Sequence, residues 1–176
     1  QPNAEDLHYA GLPTGFIDVT FGSNVGLFST SMGITIGDVD YDGMLDLYKT
    51  EYGANYLRLN RGWPGTGEPW VSAEYAYGVA DEWMHDPTSA TSLGTVVGWG
   101  CLFVDADLDP WLDLCVANGH ISDADPLDQP NAMFFGLGPD ADFEFENLAE
   151  EVGLAAPIDD RGLAAADLDL DGDVDF

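Results

Sequence analysis

The stretch Gly33-Ile-Thr-Ile-Gly-Asp-Val-Asp-Tyr-Asp-Gly-Met-Leu-Asp46 decides the fold, because it sets aspartates at alternate positions directly after a short β-branched segment. The same phrase recurs as GCLFVDADLDPWLD at 100–113 and as GLAAADLDLDGDVD at 162–175. The first aspartates of the three copies lie 67 and 62 residues apart. Recurrence at a near-constant period indicates a repeat protein.

Two further phrases recur beside these loops. A phrase that opens on an aromatic residue and ends in Gly-Leu or Gly-Val precedes each loop, at 16–27, 70–79 and 145–154. Gln1-Pro-Asn-Ala4 returns as Gln129-Pro-Asn-Ala132, and 55–60 is a looser counterpart. The repeat unit therefore contains several elements besides the Asp-rich loop.

These recurrences predict where the units begin and end. The chain is expected to start in the middle of a repeat and to stop just after its third loop, as a fragment or as a chain whose ends complete one another. The predicted units are the end of a partial repeat with its lead-in strand at 1–27, a first loop repeat at 28–79, a second at 80–154 with an inserted loop at 80–97, and a truncated third at 155–176.

The secondary structure is predicted to be β. Apolar segments rich in β-branched and aromatic residues, such as 102–104 and 112–116, flank the loops and are punctuated by the 21 glycines and 10 prolines of the chain. This pattern is typical of short strands joined by tight loops. Only 147–152 resembles a helical turn, so we expect an all-β fold.

Composition narrows the class of partner. Asp and Glu number 33 against four Lys and Arg, for a net charge of -29, which excludes an ordinary nucleic-acid or anionic-membrane surface. The chain is 45% apolar, so it should fold despite its charge. It lacks a run of roughly 20 apolar residues, so no membrane insertion is expected. The partner that the charge predicts is a cation.

The loops have the chemistry of a calcium site. In Asp38-x-Asp40-x-Asp42-Gly43-x-x-Asp46, alternate carboxylates followed by a turn residue can point several oxygens at one centre. Calcium takes six to eight oxygen ligands at roughly 2.3–2.6 Å. Carboxylates about 4 Å apart repel by roughly 4 kcal/mol per pair at an effective dielectric constant near 20, so calcium should be part of the fold.

The second loop departs from this pattern. Pro110 stands where the other loops have Gly43 and Gly172, and proline cannot adopt the positive φ that glycine supplies. We expect a distorted, weaker or empty site there, hence two or three calcium ions in all. The loops are not EF-hands, because the twelfth position holds Lys49 or Val116 instead of glutamate.

The three loops, the aromatic-to-Gly-Leu phrases, and the segments Trp99-Gly100 and Val116-Ala-Asn-Gly-His120 resemble FG-GAP/VCBS repeats. The nearest group is that of ASPIC/UnbV-associated, cartilage-acidic-protein-like chains. The resemblance implies blades of an integrin-α-like β-propeller with calcium held between adjacent strands of a blade. About three repeats are too few to close a ring, so further repeats of the chain, neighbouring protomers or an open array are implied.

The resemblance also implies a ligand set for each loop. Its members are the carboxylates of Asp38, Asp40, Asp42 and Asp46, of Asp105, Asp107, Asp109 and Asp113, and of Asp167, Asp169, Asp171 and Asp175, with the carbonyls of Met44, Trp111 and Asp173.

Other chemically distinctive residues have simpler interpretations. His8 and His85 are isolated, and His120 follows a strand in a turn, so structural roles are favoured over metal binding or catalysis. No nucleophile, base and orienting group can be assembled from the sequence, and an enzyme is not expected. Clustered aspartates in repeating turns also do not suit a glycosidase pair.

The tryptophans and the cysteines each allow two interpretations. The tryptophans could line a sugar-binding face, but packing between blades is favoured; they are Trp63, Trp70, Trp83, Trp99 and Trp111. Cys101 and Cys115 flank the second loop and could be bridged in an oxidising compartment, although two buried thiols are favoured.

The leading hypothesis is a non-enzymatic, secreted or cell-surface module, stabilised by calcium, that serves as scaffold or adhesion unit and binds an extracellular protein or glycan. One alternative is an accessory domain that binds substrate for a secreted enzyme or spaces its catalytic domain. Another is the subunit of an extracellular filament, in which neighbouring protomers complete each other's repeats.

Overall fold

The all-β prediction is confirmed for the part of the chain that the structure describes. The computed structural model describes residues 9–12, 15–18, 20, 25–26, 29–62, 69–81, 96–121, 129–156 and 158–176. These residues form ten β-strands and one short 3-10 helix, Pro139–Ala141. A helix with the length and apolar character of a membrane span does not occur among them.

The strands form a hairpin and two larger sheets. The hairpin pairs β1 (Tyr9–Leu12) with β2 (Gly15–Asp18). Both larger sheets are four-stranded antiparallel meanders in chain order. The first contains β3 (Ile34–Gly37), β4 (Asp46–Lys49), β5 (Tyr56–Asn60) and β6 (Trp70–Ser72). The second contains β7 (Gly98–Val104), β8 (Asp113–Asn118), β9 (Ala132–Gly136) and β10 (Phe145–Asn147).

The first two Asp-rich segments each connect two paired strands at the start of a unit. The first loop (38–46) joins β3 to β4, and the second loop (105–113) joins β7 to β8. The third loop (167–175) is closed by an antiparallel bridge between Ala166 and Asp175. The two meanders lie within the predicted units 28–79 and 80–154. Residues 82–95 of the predicted inserted loop lie outside the described residues.

Glycine at the start of the first and second phrases lets consecutive units approach closely. A Cβ on Gly33 would overlap the Trp99 carbonyl oxygen, and one on Gly100 would lie 2.9 Å from the backbone nitrogen of Leu163. Strand β3 therefore lies beside β7, and β7 lies beside the segment that leads into the third loop. The Gly100 amide also donates to the Arg161 carbonyl over 3.1 Å.

An equivalent asparagine supports both meanders. The side-chain oxygen of Asn55 accepts from the Glu51 amide, and that of Asn131 accepts from the Asn118 amide, each over 2.9 Å. This contact explains why 55–60 and 129–132 correspond in sequence. The third counterpart, residues 1–4, lies outside the described residues.

The core lies between the two sheets. Side chains from both sheets are fully or almost fully buried there, among them Tyr48, Leu57, Leu114, Val116 and Phe134. The Tyr48 hydroxyl donates to the Val79 carbonyl over 2.8 Å, which satisfies the one polar atom of this buried ring. A smaller cluster around Cys115, Met133 and Ala149 covers the opposite face of the second sheet.

Both cysteines are free thiols. Cys101 lies opposite Val116 and Cys115 lies opposite Leu102, so the two thiols project from opposite faces of the second sheet. Burial raises the pKa of Cys101 to about 12 and that of Cys115 to about 11. The sequence left open a disulfide or two thiols, and this register allows only the two thiols.

Candidate metal centre

Each Asp-rich loop brings three carboxylates to one centre. In each set the three side chains offer oxygens that lie within 4.8 Å of one another. The sets are Asp38, Asp40 and Asp42, then Asp105, Asp107 and Asp113, then Asp167, Asp169 and Asp175. Nine of the twelve carboxylates that the sequence suggested as ligands are therefore clustered. Asp46, Asp109 and Asp171 have other contacts, described below.

The three loops share a left-handed backbone conformation at their fourth residue. The fourth residue of each has positive φ, at 55° for Tyr41, 63° for Leu108 and 65° for Leu170. This left-handed conformation is uncommon for residues with a side chain, and here it turns the chain so that alternate aspartates face the same centre. The sequence pointed to positive φ at the sixth-position glycines, where Gly43 and Gly172 have it, but not at the fourth position.

The fifth-position aspartates shape the second half of each loop. Asp42 accepts a hydrogen bond from the Met44 amide over 2.9 Å, and Asp109 accepts one from the Trp111 amide over 2.6 Å. Asp171 accepts the corresponding bond from the Asp173 amide over 3.2 Å. These are local side-chain to backbone turns of the kind aspartate favours. That the carbonyls of Met44, Trp111 and Asp173 are ligands stays a prediction.

Pro110 removes one hydrogen bond from the second loop without separating its carboxylates. The Gly43 amide donates to Asp38 over 3.0 Å, and the Gly172 amide donates to Asp167 over 3.1 Å. Proline has no amide hydrogen, so Asp105 cannot receive this bond. Leu108 keeps its positive φ and the triad still converges, so the loop differs at its sixth residue, in this hydrogen bond and in the positive φ that Gly43 and Gly172 have there.

The last aspartate of each loop ties the loop to the strands around it. Asp46 accepts from the amides of Val39 over 2.9 Å and Asn60 over 2.8 Å. Asp113 accepts the equivalent bonds from Ala106 over 2.8 Å and Gly136 over 3.0 Å. In the third loop, Asp175 accepts from Leu168 over 2.8 Å.

Two of these last aspartates are also buried. Asp46 and Asp113 are fully buried. Burial raises the pKa of each to about 6, and the amide hydrogen bonds oppose this rise. A carboxylate oxygen has two lone pairs, so these groups can hold the loop in place and still face a cation.

Three carboxylate oxygens in the triads have no hydrogen-bond partner. They are Asp38 Oδ1, Asp40 Oδ1 and Asp105 Oδ1, and all three are buried atoms. Buried polar atoms are nearly always satisfied, and an exception calls for an explanation such as an ion. Hard oxygen donors in sets of three or more suit calcium, so the residues present fit that ion.

One basic side chain contacts the first triad. Arg61 Nη1 lies 2.7 Å from Asp40 Oδ2 and 2.8 Å from Asp42 Oδ2. The sequence pattern assigned no role to Arg61. A usable signal was present, because the chain has only four Lys and Arg and this one directly follows 55–60, the looser counterpart of the recurring Gln-Pro-Asn-Ala phrase.

The described tryptophans support the packing interpretation. Trp111 meets the Tyr41 ring edge-on at 5.0 Å between centroids. The Trp99 indole nitrogen donates to the Gly119 carbonyl over 2.8 Å, and the Arg161 guanidinium lies 5.2 Å above the Trp99 ring. Trp63 and Trp83 lie outside the described residues.

His120 is held in a structural turn. Its amide donates to Asp159 over 2.7 Å, and its carbonyl accepts from Arg161 over 2.6 Å. The side chain is buried, with Nε2 3.8 Å from Asp159. His8 and His85 lie outside the described residues.

Neither a scan against protein-family models nor a search of curated proteins finds a match for this chain. A functional assignment must therefore come from the geometry of its loops.

Proposed function

We propose that this chain is a calcium-binding structural module in which the loops at 38–46, 105–113 and 167–175 each hold one ion. The observation that carries the proposal is the set of buried oxygens without partners in converging triads, namely Asp38 Oδ1, Asp40 Oδ1 and Asp105 Oδ1. A bound cation would satisfy these oxygens and offset the repulsion among the carboxylates.

The same proposal assigns the two meanders as blades of an FG-GAP/VCBS-type β-propeller. Its support is that consecutive units repeat the same contacts. The Gly98 amide donates to the Glu51 carbonyl, and the Asp160 amide donates to the Asn118 carbonyl, each over 3.0 Å at equivalent positions. Units that follow one another by the same rotation form a β-propeller or an open array of blades.

Calcium would stabilise such a blade through the last aspartate of its loop. Asp46 contacts the loop through Val39 and strand β5 through Asn60. An ion bound by the triad and by the Asp46 carboxylate together would therefore fix the hairpin β3–β4 and, through this carboxylate, the neighbouring strand β5. The role proposed for the metal is structural, with no catalytic step.

We place this module outside the cell, secreted or on the cell surface, as a scaffold or adhesion unit for a protein or glycan ligand. The supporting features are the net charge of -29 and oxygen-only loops of the kind that fill at extracellular calcium concentrations. The strongly acidic surface argues against nucleic acid as a partner.

Calorimetry in calcium and in chelator tests this function. A site filled at a hundredfold excess over its dissociation constant contributes about 2.7 kcal/mol, which is a rise of roughly 5–10 °C in melting temperature for a chain of this size. The variant D38N/D105N should lose most of the rise. A melting temperature that stays the same in both buffers would rule the function out.

A further inference from the structure

The first loop carries a positive charge supplied by the chain itself. Arg61 Nη1 bridges Asp40 Oδ2 and Asp42 Oδ2, at 2.7 and 2.8 Å. Both carboxylates belong to the triad with Asp38. One side chain thus contacts two of the three acidic groups that would bind a cation.

The two oxygens of the Asp40 carboxylate have different surroundings. Its side chain is only 9% exposed, and Oδ2 accepts from Arg61 while Oδ1 is buried with no hydrogen-bond partner. Oδ1 thus has no partner, although Arg61 already balances the charge of this carboxylate at Oδ2. This buried, unpartnered oxygen is evidence for a ligand beyond the clustering of acids.

We propose that Arg61 sets the calcium affinity of the first loop by competing with the ion for Asp40 and Asp42. The inference rests on the proposed calcium-binding function. A guanidinium cannot lose its charge near neutral pH, so it repels a divalent ion wherever it contacts the triad. It also balances the carboxylates at low calcium, so the first loop stays closed there and fills only at higher calcium.

The second loop provides an internal comparison. The Asn60 amide donates to Asp46, and the Gly136 amide donates to Asp113, so these two residues are equivalent. The residue after each is Arg61 in one unit and Leu137 in the other. A charged competitor stands beside the first loop and an uncharged residue at the same place beside the second. The two sites should therefore differ in calcium affinity.

Substitutions at these equivalent positions test the inference in the full chain. Calcium binding is measured by titration calorimetry for wild-type Arg61, R61Q and R61K in a D105N/D167N background that disables the second and third loops. R61Q should bind calcium at the first loop at least about threefold more tightly, the scale of a lost charge interaction near a surface. R61K keeps the charge and should stay close to wild type. In chelator, R61Q should melt below wild type.

The reciprocal variant covers the case in which R61Q does not fold. L137R in a D38N/D167N background, which disables the first and third loops, installs the competitor beside the second loop and should weaken calcium binding there by a similar factor. Calcium binding that is unchanged or weaker in R61Q, or unchanged in L137R, would overturn the proposed role of Arg61. The proposed calcium-binding function would still stand. Absence of calcium binding in wild type would overturn the proposed function together with it.

Discussion

The Tyr41 hydroxyl donates a hydrogen bond of 2.8 Å to the Pro110 carbonyl, joining the fourth residue of the first loop to the sixth residue of the second. The Tyr41 ring also meets Trp111 edge-on at 5.0 Å and stacks on Phe143 at 6.3 Å. The first and second loops are thus in direct contact. A shape change on filling one loop can reach the other through this tyrosine.

Tyr41→Phe tests that contact. It removes the hydrogen bond and keeps the ring, so the free energy of unfolding should fall by about 1 kcal/mol. Tyr41→Ala also removes the aromatic contacts and should cost roughly 1 kcal/mol more. Urea denaturation measures both. If the tyrosine couples the loops, D38N lowers the calcium affinity of the second loop in wild type and leaves it unchanged with Phe at this position.

Pro110→Gly should have opposite effects in the two metal states. A glycine amide can donate to Asp105 as Gly43 does to Asp38, which orients the first ligand and should raise calcium affinity at the second loop severalfold. In chelator the variant should lose about 0.4–1 kcal/mol, because the unfolded chain gains freedom. Calorimetric titration and denaturation separate the two effects. Weaker calcium binding by the glycine variant would contradict this account.

Asp46→Asn should destabilise the protein even without calcium. The amide nitrogen of asparagine cannot accept, so one of the two backbone amides that Asp46 satisfies loses its partner. Leaving a buried donor unpaired costs about 1–3 kcal/mol. Asp107→Asn is the control, since Asp107 is exposed and belongs to a triad. It should lower calcium affinity and leave unfolding in chelator nearly unchanged.

Local sequence predicted the loops, the strands beside them and the repeat, because alternating aspartates and short β-branched segments act through neighbours along the chain. The partners of Tyr41 and Arg61 depend on which distant segments the fold brings beside the first loop. Pro110 is 69 positions from Tyr41, and Asp40 is 21 from Arg61. For the same reason, the double hydrogen bonding of Asp46 could not be inferred from a motif in which all aspartates look alike.

Asp81 supplies a pH dependence independent of the loops. Its carboxylate accepts from the Asn118 side chain over 2.9 Å. Burial raises its pKa from 3.8 to about 6, against the lowering effect of that bond. Between these values the unfolded chain is ionised at this site and the folded chain stays protonated, so rising pH favours unfolding. The contribution of Asp81 to stability is therefore present below pH 3.8 and lost as the pH rises to about 6.

Asp81→Asn isolates this contribution, because asparagine can accept the same bond and does not titrate. The stability of wild type relative to the variant should fall as the pH rises from about 4 to about 6 and stay level above that. Urea denaturation of both proteins in chelator, at matched ionic strength, measures the difference in their free energies of unfolding. The contributions of the other carboxylates cancel in this difference. A difference that increases with pH would mean that Asp81 ionises more easily in the fold than in the unfolded chain.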